Sequence, residues 1–235
     1  MPTIAVINET TVCDDKWLKD MMDAVQIQVA RDWAPIWNLP ADLVYVPKGQ
    51  TPPVGAWWMA VLDTADQAGA LGYHDTADDG SPLGKVFAKT TLDYGELVSV
   101  TLSHEVLEML ADPEITRTVS YDGKVWMYEV CDACEDDTLG YPIGDVQVSD
   151  FVTPEYFLQS GSPSKFDFMG HVTGSLPFLC PGGYLAYQDA SGNWNQITAR
   201  TDPRGLYRAR ALNGSRRDRR SYTLDERLIS VRRTA

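Results

Sequence analysis

Ser103-His104-Glu105-Val106-Leu107-Glu108-Met109-Leu110-Ala111-Asp112-Pro113 is the stretch on which the reading of the chain turns. It closes a helix predicted over 96–111 and stopped by Asp112-Pro113, since proline cannot continue the helical hydrogen-bond ladder. At about 100° per residue, His104, Glu108, Thr101, Asp112 and Glu105 fall within an arc of about 100°. Val98, Val100, Leu102, Val106, Leu107, Met109 and Leu110 cover the remaining arc, and Leu97 is the exception on the polar side. The helix is therefore apolar over more than half its circumference, and its one polar stripe holds a histidine and three carboxylates.

Two readings of that stripe compete. In one it is the solvated face of a half-buried helix. In the other it lines a cleft, and His104 and Glu108, one turn apart, grip a single metal ion. Glu105 then lies beside the ion, placed to take a proton from water. Surface helices usually mix basic residues among their acids, but no Lys or Arg occurs between Lys89 and Arg117. Crowded carboxylates repel unless a cation sits among them, which favours the metal reading. Asp112, Glu129 and Asp132 are the candidates for a third ligand. Asp112 lies roughly 12 Å along a straight helix from His104, so it converges only if Pro113 marks a bend. Glu129 or Asp132, arriving from another element, is geometrically easier. One imidazole with two carboxylates neutralises a divalent ion, and such oxygen-rich ligation suits Ca2+ or Mn2+ as well as Zn2+.

Outward from this helix, Ile4-Ala5-Val6-Ile7 and Leu43-Val44-Tyr45-Val46 read as strands. A helix over 16–33 stands between them, capped by Asp14 or Asp15 and ended by Pro35. Its apolar positions Trp17, Met21, Met22, Val25, Val29 and Trp33 recur at three- and four-residue steps. The run Trp57–Leu62 is a third strand, too apolar for an exposed edge. Leu71–His74 and Gly84–Lys89 are two more, joined by an acidic turn. Beyond the central helix, Trp126–Val130 reads as a strand, 183–197 as a hairpin turning at Ala190–Asn193, and the rest to about Pro181 as loop. The order β-α-β-β-β-α followed by an irregular half predicts an α+β fold, a mixed twisted sheet with a helix packed under it. The expected organisation is a body over 1–182, a β-hairpin over 183–199 and an arginine-rich arm over 200–235.

The 235 residues are 44% hydrophobic and 10% aromatic, enough to build a core and to argue against disorder. No apolar run approaches the ~20 residues of a membrane span, so no membrane partner is expected. The start Met1-Pro2-Thr3 lacks the basic region of a signal peptide, which predicts a cytoplasmic protein. The net charge of −13 is split unevenly. Residues 200–235 carry eleven Arg, three Asp and one Glu, a net of +7, which leaves −20 on residues 1–199. An acidic body repels phosphate, so nucleic acid is the lesser expectation. The arm suits docking on an acidic protein neighbour or on further copies of the chain. Cys131-x-x-Cys134 has no second pair and acids beside it, so its thiols, with Cys13 and Cys180, read as buried and structural. His74 reads as a strand-end or turn histidine, with contact to an oxyanion across a cleft as the alternative. His171 reads as structural and Glu135-Asp136-Asp137 as a solvated acidic loop.

His104-Glu105-x-x-Glu108 resembles the zincin metallopeptidase helix, HExxH, with its second histidine replaced by glutamate. Gly69-Ala70-Leu71-Gly72-Tyr73-His74-Asp75 precedes it, and Tyr128-Glu129-Val130-Cys131-Asp132 and Ser149-Asp150-Phe151-Val152-Thr153-Pro154 follow in order. Together, over roughly residues 55–160, these segments resemble an uncharacterised zincin-like family of bacteria and tailed bacteriophages. The resemblance implies a zincin-like sheet with an active-site helix, and an edge strand at 84–89 that holds a peptide substrate in a cleft. It also implies a zinc ion on His104 and Glu108, Glu105 as catalytic base, and a metal-dependent peptidase-like hydrolase. It leaves open a non-catalytic virion protein, capsid or decoration, on the same scaffold and anchored by its arm. For a phage-encoded chain the location is the host cytoplasm or the virion.

Overall fold

A computed structural model describes residues 1–67, 69–158 and 165–199. The most apolar runs take the interior of a five-stranded sheet. Strand β3 (Trp57–Leu62) is its middle member, with β1 (Thr3–Asn8) parallel on one side and β5 (Pro82–Phe87) parallel on the other. β2 (Asp42–Val46) closes the β1 side, and β4 (Gly72–Thr76) turns back antiparallel against β5 as the opposite edge. The strand read at 84–89 is therefore an interior strand, and the edge beside the central helix is β4. A hairpin connection forces β4 antiparallel, since two strands joined by a tight turn cannot run parallel.

Ile4 and Val6 of β1, Met59 and Val61 of β3 and Val86 of β5 point to one face and are sealed there. Helices α1 (Asp15–Ile27) and α4 (Val98–Ala111) pack on that face. Asp14 caps α1 by accepting the N–H of Trp17 at 2.7 Å. The helical path does not stop at Trp33. Gln28–Trp33 widens into a π-helical turn and runs on through α2 (Ala34–Trp37), ending at Asn38 in the left-handed region (φ 55°). The widened turn brings the Gln28 amide into the core, where it donates to the carbonyl of Ser149 at 2.8 Å and to the Tyr141 hydroxyl at 3.2 Å. Trp17, expected on the apolar face, is 40% exposed, while Trp33 is buried and stacks on Trp37. A short helix, α3 (Ala88–Asp93), links β5 to α4.

The second half is built on short strands. β6 (Thr118–Tyr121), β7 (Lys124–Met127), β10 (Tyr184–Gln188) and β11 (Trp194–Thr198) form an antiparallel sheet in the order β11-β10-β7-β6. The predicted hairpin is thus β10–β11, and β10 hydrogen-bonds to β7 of the body. β8 (Tyr141–Ile143) pairs with β9 (Val146–Val148), and a one-turn helix, α5 (Pro154–Phe157), follows. The arm at 200–235 lies outside the described residues. Among the described residues no helix is long and apolar enough to cross a membrane.

Two buried carboxyl groups tie these loops together. Asp167 accepts the backbone N–H groups of Gly170, His171 and Val172 at 3.0, 2.7 and 3.0 Å. Asp150 accepts those of Phe151 and Met169 at 2.8 and 3.1 Å. Burial, then a hydrogen bond to Asp167 and its charge, pushes the Asp150 carboxyl up to about 9. The folded chain therefore holds a proton there that the unfolded chain releases near its ordinary carboxyl value of 3.8. Stability from that proton is fully present below the ordinary value and is lost as pH rises through about 9. Asp150→Asn keeps the shape without the titration. Urea melts from about pH 5 to about pH 9 should show a shallower loss of stability in the variant, by up to about 1.4 kcal/mol per pH unit. An unchanged slope contradicts the shared proton.

Candidate metal centre

All fourteen residues of α4 are buried, so its polar stripe is not a solvated face. Asp137 holds the start of the helix, accepting the N–H of Leu97 at 2.6 Å. Ser103, behind the stripe, accepts the N–H of Ser149 at 2.7 Å and fixes the helix to the second half. The stripe meets two elements that converge on it from different sides.

The first is β4. Side chains at i and i+2 of a strand share a face, so Gly72 and His74 face the same way. A Cβ on Gly72 would lie 2.8 Å from Glu105 Cγ and 2.9 Å from Glu105 Oε1, so only glycine lets strand and helix approach this closely. His74 is 0% exposed. Its Nδ1 stands 3.6 Å from Glu105 Oε2 and 3.7 Å from Glu108 Oε2.

The second is the segment after β7. Glu129, Asp132 and Glu135 recur at three-residue steps, and a 3-10 turn at Asp132–Cys134 carries part of that spacing. The N–H of Cys131 donates to Glu108 Oε1 at 3.2 Å, and its thiol donates to the carbonyl of His104 at 3.8 Å. His104 Nε2 then lies 3.3 Å from Glu108 Oε1 and 3.2 Å from Asp132 Oδ1.

The result is two adjoining donor groups. His104, Asp132 and Glu135 offer ligand atoms within 4.8 Å of one another, and so do His74, Glu108 and Glu129. All six residues are buried. His104, Glu105 and Glu135 also form part of the wall of one small cleft, with Gly72, Thr101 and Tyr184 beside them. Burial disfavours the charged form of His104. The Glu108 charge, hydrogen bonds to Asp132 and Glu108, and the Glu105 charge outweigh that and hold its pKa well above 6.5. Burial, reinforced by the neighbouring carboxylates, raises the Cys131 thiol well above its ordinary value. Cys134 is raised in the same direction, and both thiols are free and buried. Neither donor group includes sulfur.

Of the residues the sequence pointed to, His104, Glu108, Asp132 and Glu129 come together, and Glu105 lies between the cleft and His74. Asp112 belongs to neither group. Its carboxylate accepts the N–H groups of Thr116 and Arg117 at 3.1 and 2.9 Å and fastens the turn after the helix. His74 and Glu135 carry more of the site than their sequence context suggested. The signals for them were present: a glycine two residues before His74, and the three-residue spacing of Glu129, Asp132 and Glu135. No family model, curated protein or solved structure matches the chain.

Gly72→Ala forces a methyl against Glu105 and within 2.9 Å of the Lys85 carbonyl, which the sheet holds in place. Urea melts should show a loss of about 1–3 kcal/mol, as for other overpacked sites. An unchanged midpoint contradicts the close approach.

Proposed function

We propose that the chain is a metal-dependent hydrolase of peptide-like bonds. Its ion is held by His104, Asp132 and Glu135, with Glu108 against the same imidazole. The supporting observation is a buried imidazole among carboxylates that shares a cleft wall with a further, separate carboxylate, Glu105. One nitrogen and several carboxylate oxygens fit Zn2+ or Mn2+, and Ca2+ also accepts such oxygen-rich sets. When bound, such an ion polarises a carbonyl as a Lewis acid and acidifies water.

The chain's own residues supply the rest. Glu105 follows His104 on the helix and reaches the cleft, where it takes the proton of the attacking water and returns it to the leaving nitrogen. Glu105 Oε2 is sealed from solvent, makes no hydrogen bond and stands 3.6 Å from His74 Nδ1. β4 is the sheet edge beside the stripe, and an extended peptide adding to that edge would lie along the cleft.

Glu105→Gln should lower cleavage of a peptide library by about 10²–10⁴-fold with metal content unchanged. Full activity in that variant contradicts the role of Glu105. The ion also competes with the proton on His104. Metal-free stability from the protonated ring is fully present below its ordinary value of 6.5 and is lost as pH rises through the raised folded value. The gain in Tm on adding Zn2+ should therefore grow as pH rises from about 6 to about 9. A gain that shrinks over that range contradicts ligation by His104.

A further inference from the structure

We infer that the centre is dinuclear: a second divalent transition-metal ion is held by His74, Glu108 and Glu129, and Glu108 bridges it to the first. The inference rests on the His104 site proposed above and adds a neighbour to it.

The two oxygens of Glu108 serve different imidazoles. Oε1 is 3.3 Å from His104 Nε2, and Oε2 is 3.7 Å from His74 Nδ1. The two donor groups share no residue, and each supplies one imidazole and two carboxylates. Charge points the same way. Five buried carboxylates, Glu105, Glu108, Glu129, Asp132 and Glu135, crowd two imidazoles, and two divalent ions neutralise more of that charge than one. Glu105 Oε2, buried and without a hydrogen bond, points at the inner imidazole rather than at solvent. Two imidazoles with four carboxylates is also the donor inventory that helix-bundle carboxylate proteins use for paired iron or manganese ions.

The two positions differ in access. His104 and Glu135 reach the cleft wall, while His74 and Glu108 are each 0% exposed and are not part of it. The outer ion would meet substrate. The inner ion would neutralise Glu108 and fix its orientation toward the outer one, as in other two-metal sites with ions about 3.5–4 Å apart.

The test is metal stoichiometry of the full chain, stripped with a chelator, reloaded with Zn2+ and freed of loose ions by gel filtration. Two ions per chain are expected, falling to one in His74→Ala and to one in His104→Ala. One ion in the wild type, retained in His74→Ala, overturns the second ion and leaves the outer site standing. No bound ion overturns both. Because loss of a buried imidazole can unfold the chain, Mn2+-loaded wild-type protein gives an independent reading. Exchange-coupled electron paramagnetic resonance lines are expected, and the six-line spectrum of an isolated ion at saturation overturns the pair.

Discussion

The structure depends on a helix that buries its polar stripe along with its apolar face. Moving one carboxylate out of water costs several kcal/mol even after relaxation, and Glu105, Glu108, Glu129, Asp132 and Glu135 are all buried around two imidazoles. That concentration of acids is tolerable only if protons or cations neutralise part of it. Much of the surrounding architecture serves the close packing this requires. Gly72 lets β4 come down on Glu105, Ser103 anchors the helix from behind, and the N–H of Cys131 fixes one oxygen of Glu108.

On the reading proposed above, protons and metal ions compete for the same place. Without metal, the carboxylates hold a proton on His104, and the ring is paired with Glu108 and Asp132. With metal bound, the same carboxylates would turn from counter-ions into ligands. The helix supplies His104, Glu105 and Glu108 as a rigid unit, and the segment after β7 supplies the remaining acids. A site assembled from a helix, a strand and a turn forms only once the two halves of the chain have packed, so metal binding there would be linked to folding.

The apolar strands of the first half were legible because residues buried on both faces leave a continuous hydrophobic run, as Ile4–Ile7 and Trp57–Leu62 do. The α4 helix was legible from its period and its Asp112-Pro113 stop, and with it His104, Glu105 and Glu108. β6, β8 and β9 are three or four residues long and carry no alternation long enough to register. The loops around them are held by buried hydrogen bonds, such as those of Asp150, Asp167 and Gln28, which have no period at all. His74 was undervalued because strand alternation says which residues share a face but not which face meets the helix. Asp112 was overvalued for a related reason: the helical wheel places it on the stripe, yet the chain's exit from the helix claims both its oxygens.

The most direct measurement is anomalous diffraction at the zinc edge from crystals of the full chain grown with zinc. Strong anomalous density enclosed by His104, Asp132 and Glu135, next to Glu108, is the predicted result. An empty position there, with His104 still paired directly to Asp132 and the zinc confined to surface acids, would contradict the account.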